Sequence, residues 1–341
     1  MTAYPLLNGP EPFINEMEKI YVSAHYPGEP FERLREKYIV EEFLGTRLPT
    51  RDELLEGARG SVAVISTVSD GIDKAFIDLL PGLKIVSNCG VGYENIDVPY
   101  ATRRGVMVTN TPDVLTETTA DLAWALLISA ARRVVEADGY VRRGDFKCWH
   151  PSLLLGQNIH GKTLGIFGMG RIGTAAAKRA SGFGMRVIYN IWKRNEKAER
   201  ETGAEFAEFP VLLKESDFII VTSPLTDETR GRFGMDEFRR MKRTAVIVNV
   251  GRGPIIKEKE LAEALKEGII WGAGLDVYEK EPEVDPGLLK SKNTVLLPHI
   301  GSASSETRIR MIGMAVESVE LALAGKTPKH LVNPEVLERI G

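Results

Sequence analysis

Three residues, in a fixed order, carry the chemistry that this sequence offers. They are Arg252 in Val250-Gly251-Arg252-Gly253, Glu281 in Glu279-Lys280-Glu281-Pro282, and His299 in Pro298-His299-Ile300-Gly301. A guanidinium is a planar, permanent cation that forks onto a carboxylate. An imidazole takes up and gives back a proton near neutral pH. A carboxylate beside that ring holds it and favours its charged form. Together the three suit proton transfer at a carbonyl that lies next to a carboxylate, as in a 2-oxo acid. Singly, each has a plainer reading: a turn cation, a solvated acid, a loop histidine.

The elements that must position these groups are legible around them. Val246-Ile247-Val248-Asn249 reads as a buried strand, and Arg252 follows its turn. Gly272-Ala273-Gly274-Leu275-Asp276-Val277-Tyr278 reads as the next strand, with Glu281 just beyond it. Val295-Leu296-Leu297-Pro298 is a third, and His299 ends it. Ligands of open α/β sheets bind at the carboxyl ends of the strands. Three functional groups at three such ends are expected to converge on one rim.

A second site lies upstream. Gly168-Met169-Gly170-Arg171-Ile172-Gly173 matches G-x-G-x-x-G after the strand Lys162–Phe167 and before a helical run from Thr174 to Ala180. That context turns a weak pattern into a dinucleotide-binding loop. Its glycines let the backbone turn and approach a pyrophosphate, and the helix N-terminus offers N–H groups to it. NAD-preferring sites place an acid about 20 residues further on, for the ribose 2′-hydroxyl. Here that stretch is Tyr189-Asn190-Ile191-Trp192-Lys193-Arg194, with no acid and two adjacent cations. Lys193 and Arg194 would attract a 2′-phosphate, so NADP(H) is expected over NAD(H), with NAD(H) still usable.

With these motifs the chain resembles the D-isomer-specific 2-hydroxyacid dehydrogenase family, its glyoxylate/hydroxypyruvate reductase branch most of all. The likeness rests on an Arg after an "N-V-x-R-G" strand end, a Glu in "L-D-V-[FY]-x-x-E-P" and a His in "P-H-I-G". It also takes in Asn88-Cys89-Gly90-Val91-Gly92-Tyr93-Glu94-Asn95-Ile96-Asp97 and Asn110-Thr111-Pro112. The resemblance implies that Arg252 binds the substrate carboxylate and the reacting carbonyl oxygen. It implies that His299 is the acid/base and that Glu281 orients it. Backbone N–H groups of Val91 and Gly92 would hold the carboxylate, and Asp276 would hold the nicotinamide carboxamide. Cofactor contacts are further expected from the glycine loop, Trp192, Pro224, Thr229, Val250, Gly251 and Gly301. Val68, Tyr93 and Trp149 are candidates for shaping the pocket.

Formate dehydrogenases look similar but replace the Glu with Gln. Phosphite dehydrogenase carries a lysine where this chain reads Cys89-Gly90-Val91-Gly92. The expected activity is reduction of glyoxylate or hydroxypyruvate to the D-2-hydroxy acid. The alternatives are a sibling enzyme for an acid such as 2-ketogluconate, or a dinucleotide-sensing, corepressor-like binding protein. The resemblance also implies a homodimer.

Apolar runs alternating with amphipathic stretches mark an α/β protein. A first series of strands near 20–24, 61–65, 83–87 and 106–108 is followed by a long apolar helix over Thr116–Arg133. A second series begins at Thr163. By resemblance the fold is two Rossmann-like open parallel-sheet domains. The dinucleotide domain, 112–302, is inserted into a flavodoxin-like substrate domain made of 1–111 and 303–341. A length of 341 residues suits two domains. A net charge of −3 supplies no basic surface for nucleic acid. Cys89 and Cys148 lack metal-ligand spacing, so no metal is expected and a reducing compartment is. The stretch Met1 to Met17 lacks a basic start and apolar run, and the longest apolar run, Leu122 to Ala131, is about half a membrane span. A cytoplasmic protein that binds no membrane is expected.

Overall fold

The computed structural model describes residues 17–26 and 28–340; the reading of the stretch before Met17 lies outside them. The chain divides into two units. One runs through Pro112 and resumes at Arg308, and the other is Asp113–Thr307.

The first unit is built on a five-stranded sheet with the order β2-β1-β3-β4-β5, where β1 is Lys19–Val22, β2 Ile39–Glu42, β3 Ser61–Ser66, β4 Ile85–Asn88 and β5 Met107–Thr109. All its pairings are parallel. This is the flavodoxin-like order, with the topological switch between β1 and β3. Two of its helices, Lys74–Leu79 and Val98–Arg103, start at aspartates that take up free N–H groups. Asp73 accepts from Phe76 N at 2.9 Å, and Asp97 accepts from Tyr100 N at 2.9 Å. Strand β2 was not expected from the sequence: it is an edge strand, largely exposed, and two of its four residues are glutamates.

The second unit carries a seven-stranded parallel sheet. Its strands are β6 Thr163–Phe167, β7 Arg186–Asn190, β8 Glu205–Phe206, β9 Phe218–Val221, β10 Val246–Asn249, β11 Gly272–Leu275 and β12 Thr294–Leu296. The order is β12-β11-β10-β9-β6-β7-β8, so the chain starts in the middle, runs out to one edge, and crosses back to build the other. That is the doubly wound dinucleotide-binding order, with the switch between β6 and β9. The two-residue β8 gave no sequence signal. β6, β9, β10 and β11 are almost wholly buried, as strands covered on both faces must be.

Two close approaches set the geometry of this unit. Helix Thr116–Arg132 buries Ala123, Leu126, Leu127, Ala130 and Ala131. It lies so near β11 that a Cβ on Gly274 would sit 3.0 Å from Leu126 Cβ. Helix Arg171–Ala180 turns an alanine face, Ala175, Ala176, Ala177 and Ala180, to the core. Trp124 Nε1 donates to Ala176 O at 2.9 Å and so ties the two helices together. The first of them ends one residue before the expected Arg133, which is left-handed (φ 55°), and a further helix, Val134–Arg142, follows with none of its residues buried. Among the described residues no helix is long and apolar enough to cross a membrane, and no group of His, Cys, Asp or Glu is arranged to hold a metal ion.

Candidate active site

The glycine loop leaves β6 at the switch point. Gly168 has φ +105°, and a Cβ there would run into the Ser223 backbone. A Cβ on Gly173 would collide with Gly168 O. Thr222 Oγ1 donates to Gly168 O at 2.5 Å and Gly168 N donates to Asn190 O at 2.9 Å, so the turn is pinned to both neighbouring strands. Gly170 has open space where its Cβ would be, and it starts helix Arg171–Ala180 with no side-chain cap and no acid in the first turn. Uncapped N–H groups beside a bare backbone form a cradle that fits a pyrophosphate. Met169 is buried, Ile172 is half-exposed, and Arg171 pairs with Asp113 at 2.6 Å.

The expected cation pair lies past the end of β7. Trp192 is 92% exposed and Lys193 is exposed. Arg194 forks onto Glu199, at 2.7 and 2.8 Å. The bond from Arg194 and one from Tyr189 Oη hold Glu199 well below the usual carboxylate range, at about 2. The sequence stretch 189–194 holds no acid, but the fold brings one in from the next helix. Asn195 Nδ2 donates to Met169 O at 2.8 Å, which fastens this segment to the glycine loop.

Arg252, Glu281 and His299 all lie in the second unit, beyond β10, β11 and β12. Asn249 Oδ1 accepts from Gly251 N at 3.0 Å, and Asn249 Nδ2 donates to Arg252 O at 2.9 Å. One buried side chain therefore fixes the backbone on which Arg252 stands. Gly253 passes so close to Tyr278 that any Cβ would overlap its backbone, which brings the Arg252 turn against the segment leading to Glu281. Glu281 Oε1 accepts from Tyr278 N at 3.1 Å, and Oε2 is 2.7 Å from His299 Nδ1. His299 Nε2 has no partner among the described residues. Burial pushes the Glu281 carboxyl upward, but the bond to His299, its positive charge, the Tyr278 N–H and the charge of Arg252 outweigh it, leaving a net downward shift.

Asp276 frames the histidine. Its N donates to Asn249 O at 3.0 Å and its O accepts from His299 N at 2.9 Å. Its carboxylate accepts from Ile300 N at 2.7 Å and Gly301 N at 2.8 Å. His299 adopts φ 54°, a left-handed conformation that is costly for a residue with a Cβ. Three of these bonds, from the N–H groups of His299, Ile300 and Gly301, hold it there, and the fourth ties Asp276 itself to β10. Asp276 is 1% exposed. Burial raises its pKa, Glu281 adds to the rise, and the two N–H groups and His299 oppose it.

Of the remaining expected residues, Val250 and Gly251 are buried under the same turn, Pro224 is exposed, and Thr229 Oγ1 donates to Pro224 O at 2.9 Å. Trp149 is 78% exposed. In the first unit, Val91 O accepts from Asn110 Nδ2 at 2.8 Å and Gly92 O accepts from Asn88 Nδ2 at 2.7 Å. The N–H groups of Val91 and Gly92 have no acceptor among the described residues. A Cβ on Gly90 would meet Val68, and Tyr93 is exposed. No role was expected for Asn88, Asn110, Glu199 or Asn249; Asn88, Asn110 and Asn249 each stand inside a motif that could have drawn attention to them, and Glu199 does not.

The family description "D-isomer specific 2-hydroxyacid dehydrogenase, NAD binding domain" matches residues 124–301. A glyoxylate reductase of Korarchaeum cryptofilum (strain OPF8) is 48% identical over 322 residues, which cover 94% of this chain and 97% of that one. The chain belongs to the D-isomer-specific 2-hydroxyacid dehydrogenase family. Among solved structures, the TT0316 protein of Thermus thermophilus matches with a TM-score of 0.87 and 43% identity, over 92% of this chain and 99% of that one. An NADPH-dependent glyoxylate/hydroxypyruvate reductase of Sinorhizobium meliloti, in complex with NADP and malonate, matches with a TM-score of 0.81 and 33% identity, over 94% and 98%. The enzyme is a 2-hydroxyacid dehydrogenase that reduces a 2-oxo acid with a nicotinamide dinucleotide.

The raised pKa of Asp276 has a thermodynamic consequence. A carboxyl whose folded pKa lies above its unfolded one holds more protons folded than unfolded, so its contribution to stability falls as pH rises through that window. The window opens at the ordinary Asp value of about 4. The unfolding free energy of wild type minus that of Asp276→Asn, from urea titrations, should therefore decline as pH rises from there. A difference independent of pH would contradict the assigned cause.

Proposed function

We propose that this dehydrogenase reduces glyoxylate and hydroxypyruvate to the D-2-hydroxy acid, with NADPH preferred and NADH usable. The observation that carries the reading is the 2.7 Å pair of Glu281 and His299, with Nε2 left unbonded, on the same strand-end rim as Arg252. Asp113–Thr307 would be the dinucleotide-binding part, and the family resemblance supports the N–H groups of Val91 and Gly92 as donors to the substrate carboxylate. The names of the relatives support the substrate class, and the NADP complex of the Sinorhizobium meliloti enzyme supports the cofactor.

The residues divide the work by their chemistry. When bound, the reduced nicotinamide supplies the hydride. Arg252 forks onto the carboxylate and the carbonyl oxygen, which fixes the carbonyl carbon for attack. His299 donates its Nε2 proton to that oxygen as the carbon is reduced, and it takes the proton back in the oxidation direction. Glu281, on Nδ1, fixes the ring orientation. Asn110 and Asn88 hold the carbonyls of Val91 and Gly92, so their N–H groups are kept available. Asp276 has lone pairs beyond those used by Ile300 and Gly301, and one of these would accept from the nicotinamide carboxamide.

His299→Ala should lower kcat by about 10²–10⁴-fold with dinucleotide affinity nearly unchanged. Arg252→Ala should raise KM for the oxo acid by an amount corresponding to about 1.5–3 kcal/mol. Turnover followed at 340 nm with glyoxylate, hydroxypyruvate, pyruvate and 2-ketogluconate would rank the substrates. Near-normal rates in His299→Ala would refute the mechanism.

Lys193 and Arg194 are assigned to the 2′-phosphate. Their joint replacement by Ala should raise KM for NADPH by roughly 10-fold or more while changing that for NADH little. Equal effects on both cofactors would remove the assignment.

The chain is proposed to form a homodimer. Val134, Val135, Val141, Phe146, Trp149 and Leu155 are all exposed within one stretch of the second unit. Large apolar side chains left exposed in this number support an interaction surface. Light scattering of the purified chain should give twice the mass of one chain, and a monomer's mass would count against it.

A further inference from the structure

The proposed mechanism leaves one buried acid unused. Glu258 is 5% exposed and begins helix Glu258–Lys266. Among the described residues no cation pairs with it. Its carboxylate accepts instead from two backbone N–H groups, those of Glu279 and of Asp285, the latter at 3.2 Å. The arrangement is reciprocal at one end, because Glu258 N donates to Glu279 Oε2 at 2.9 Å. Burial raises the pKa of Glu258, and the nearby carboxylates of Glu279 and Asp285 raise it further. A lone buried acid of this kind is costly, and its backbone bonds are what offset the cost.

What those bonds hold is the segment that carries Glu281. The chain leaves β11, passes Tyr278 against Gly253, and enters the helix Pro286–Lys290. Glu281 lies between the two clipped residues, Glu279 and Asp285. Within that span, Glu283 N donates to Lys280 O at 2.9 Å, which makes a turn, and Val284 packs against the apolar core, but among the described residues no other backbone bond ties the turn to the rest of the unit. We infer that Glu258 is a positioning residue for the reaction: by gripping the chain on both sides of Glu281, it sets the 2.7 Å contact between Glu281 and His299. This rests on the assignment of Glu281 as the group that orients His299. Without Glu258 the N–H groups of Glu279 and Asp285 turn to water, the turn loosens, and the imidazole loses its fixed partner.

The test is a double-mutant cycle with a structural readout. Glu258→Gln and Glu258→Ala are made in the wild-type enzyme and in Glu281→Gln. Amide hydrogen exchange at Glu279 and Asp285 is followed alongside kcat and the KM values for oxo acid and dinucleotide. In the wild-type background we expect faster exchange at both amides and a kcat lower by about 10- to 100-fold, with KM for the dinucleotide unchanged. In Glu281→Gln the same replacements should cost little more, because two residues that act through one contact are not additive. A loss of equal size in both backgrounds would mean general destabilisation and would overturn the inference, as would unchanged kcat or unchanged exchange at the two amides. If Glu281→Gln alone lost nothing, the assignment of Glu281 would fail, while the exchange data would still decide whether Glu258 grips the segment. Glu258→Gln keeps one acceptor oxygen and a similar volume, so it serves where Glu258→Ala does not fold.

Discussion

Asp276, through its backbone and its buried carboxylate together, holds the ends of three adjacent strands in one frame, and the arrangement of the site depends on it. Its backbone joins β10 to β11 through Asn249 and joins β11 to the chain beyond β12 through His299. Its side chain takes the next two N–H groups, of Ile300 and Gly301. A left-handed histidine costs of order 1–3 kcal/mol and persists only where its surroundings over-determine it. Three bonds to one residue, Asp276, do so here. The ring is then presented to Glu281 on one side, with Nε2 on the other.

A second constraint is close approach. Glycines occupy four close approaches around the site: Gly168 on Ser223, Gly173 on Gly168, Gly253 on Tyr278 and Gly274 on Leu126. Each contact has a functional neighbour. The first two shape the dinucleotide cradle, the third brings the Arg252 turn against the Glu281 segment, and the fourth seats the long helix on β11. Alanines on helix Arg171–Ala180 and the Trp124 indole complete that seating. Small residues in this chain therefore determine geometry as strongly as the charged ones.

What was legible in the sequence follows from the same physics. Buried parallel strands are short runs of apolar residues, so β6, β9, β10 and β11 announce themselves, and the groups just past their ends are readable as a site. Edge strands are not of this kind: β2 is Ile39–Glu42, largely exposed, and β8 is two residues long. The supporting polar residues were hidden for another reason. Asn110 reaches Val91 from 19 positions away, Glu258 reaches Glu279 from 21, and Glu199 approaches Arg194 from the following helix. Local pattern carries no record of such approaches; only the fold brings the pairs together. The acid missing from residues 189–194 shows the risk, because a carboxylate absent from the strand end entered from outside it.

Three carboxylates around the site show how environment divides one functional group into different roles. Asp276 and Glu258 are buried and receive backbone N–H groups, and burial wins: both pKa values rise. Glu281 is also penalised by burial, but it faces His299 directly and feels Arg252, and its pKa falls. Backbone N–H groups favour the ionised form as well, but at Asp276 and Glu258 burial outweighs them, whereas at Glu281 the bond to His299 and its charge tip the balance the other way. The first two are therefore suited to holding backbone, and the third to staying ionised beside an imidazole that must gain and lose a proton. Exchanging these roles would need only a change of partner, so the specificity lies in the backbone that Asp276 and Glu258 hold, more than in the identity of the acid at position 281.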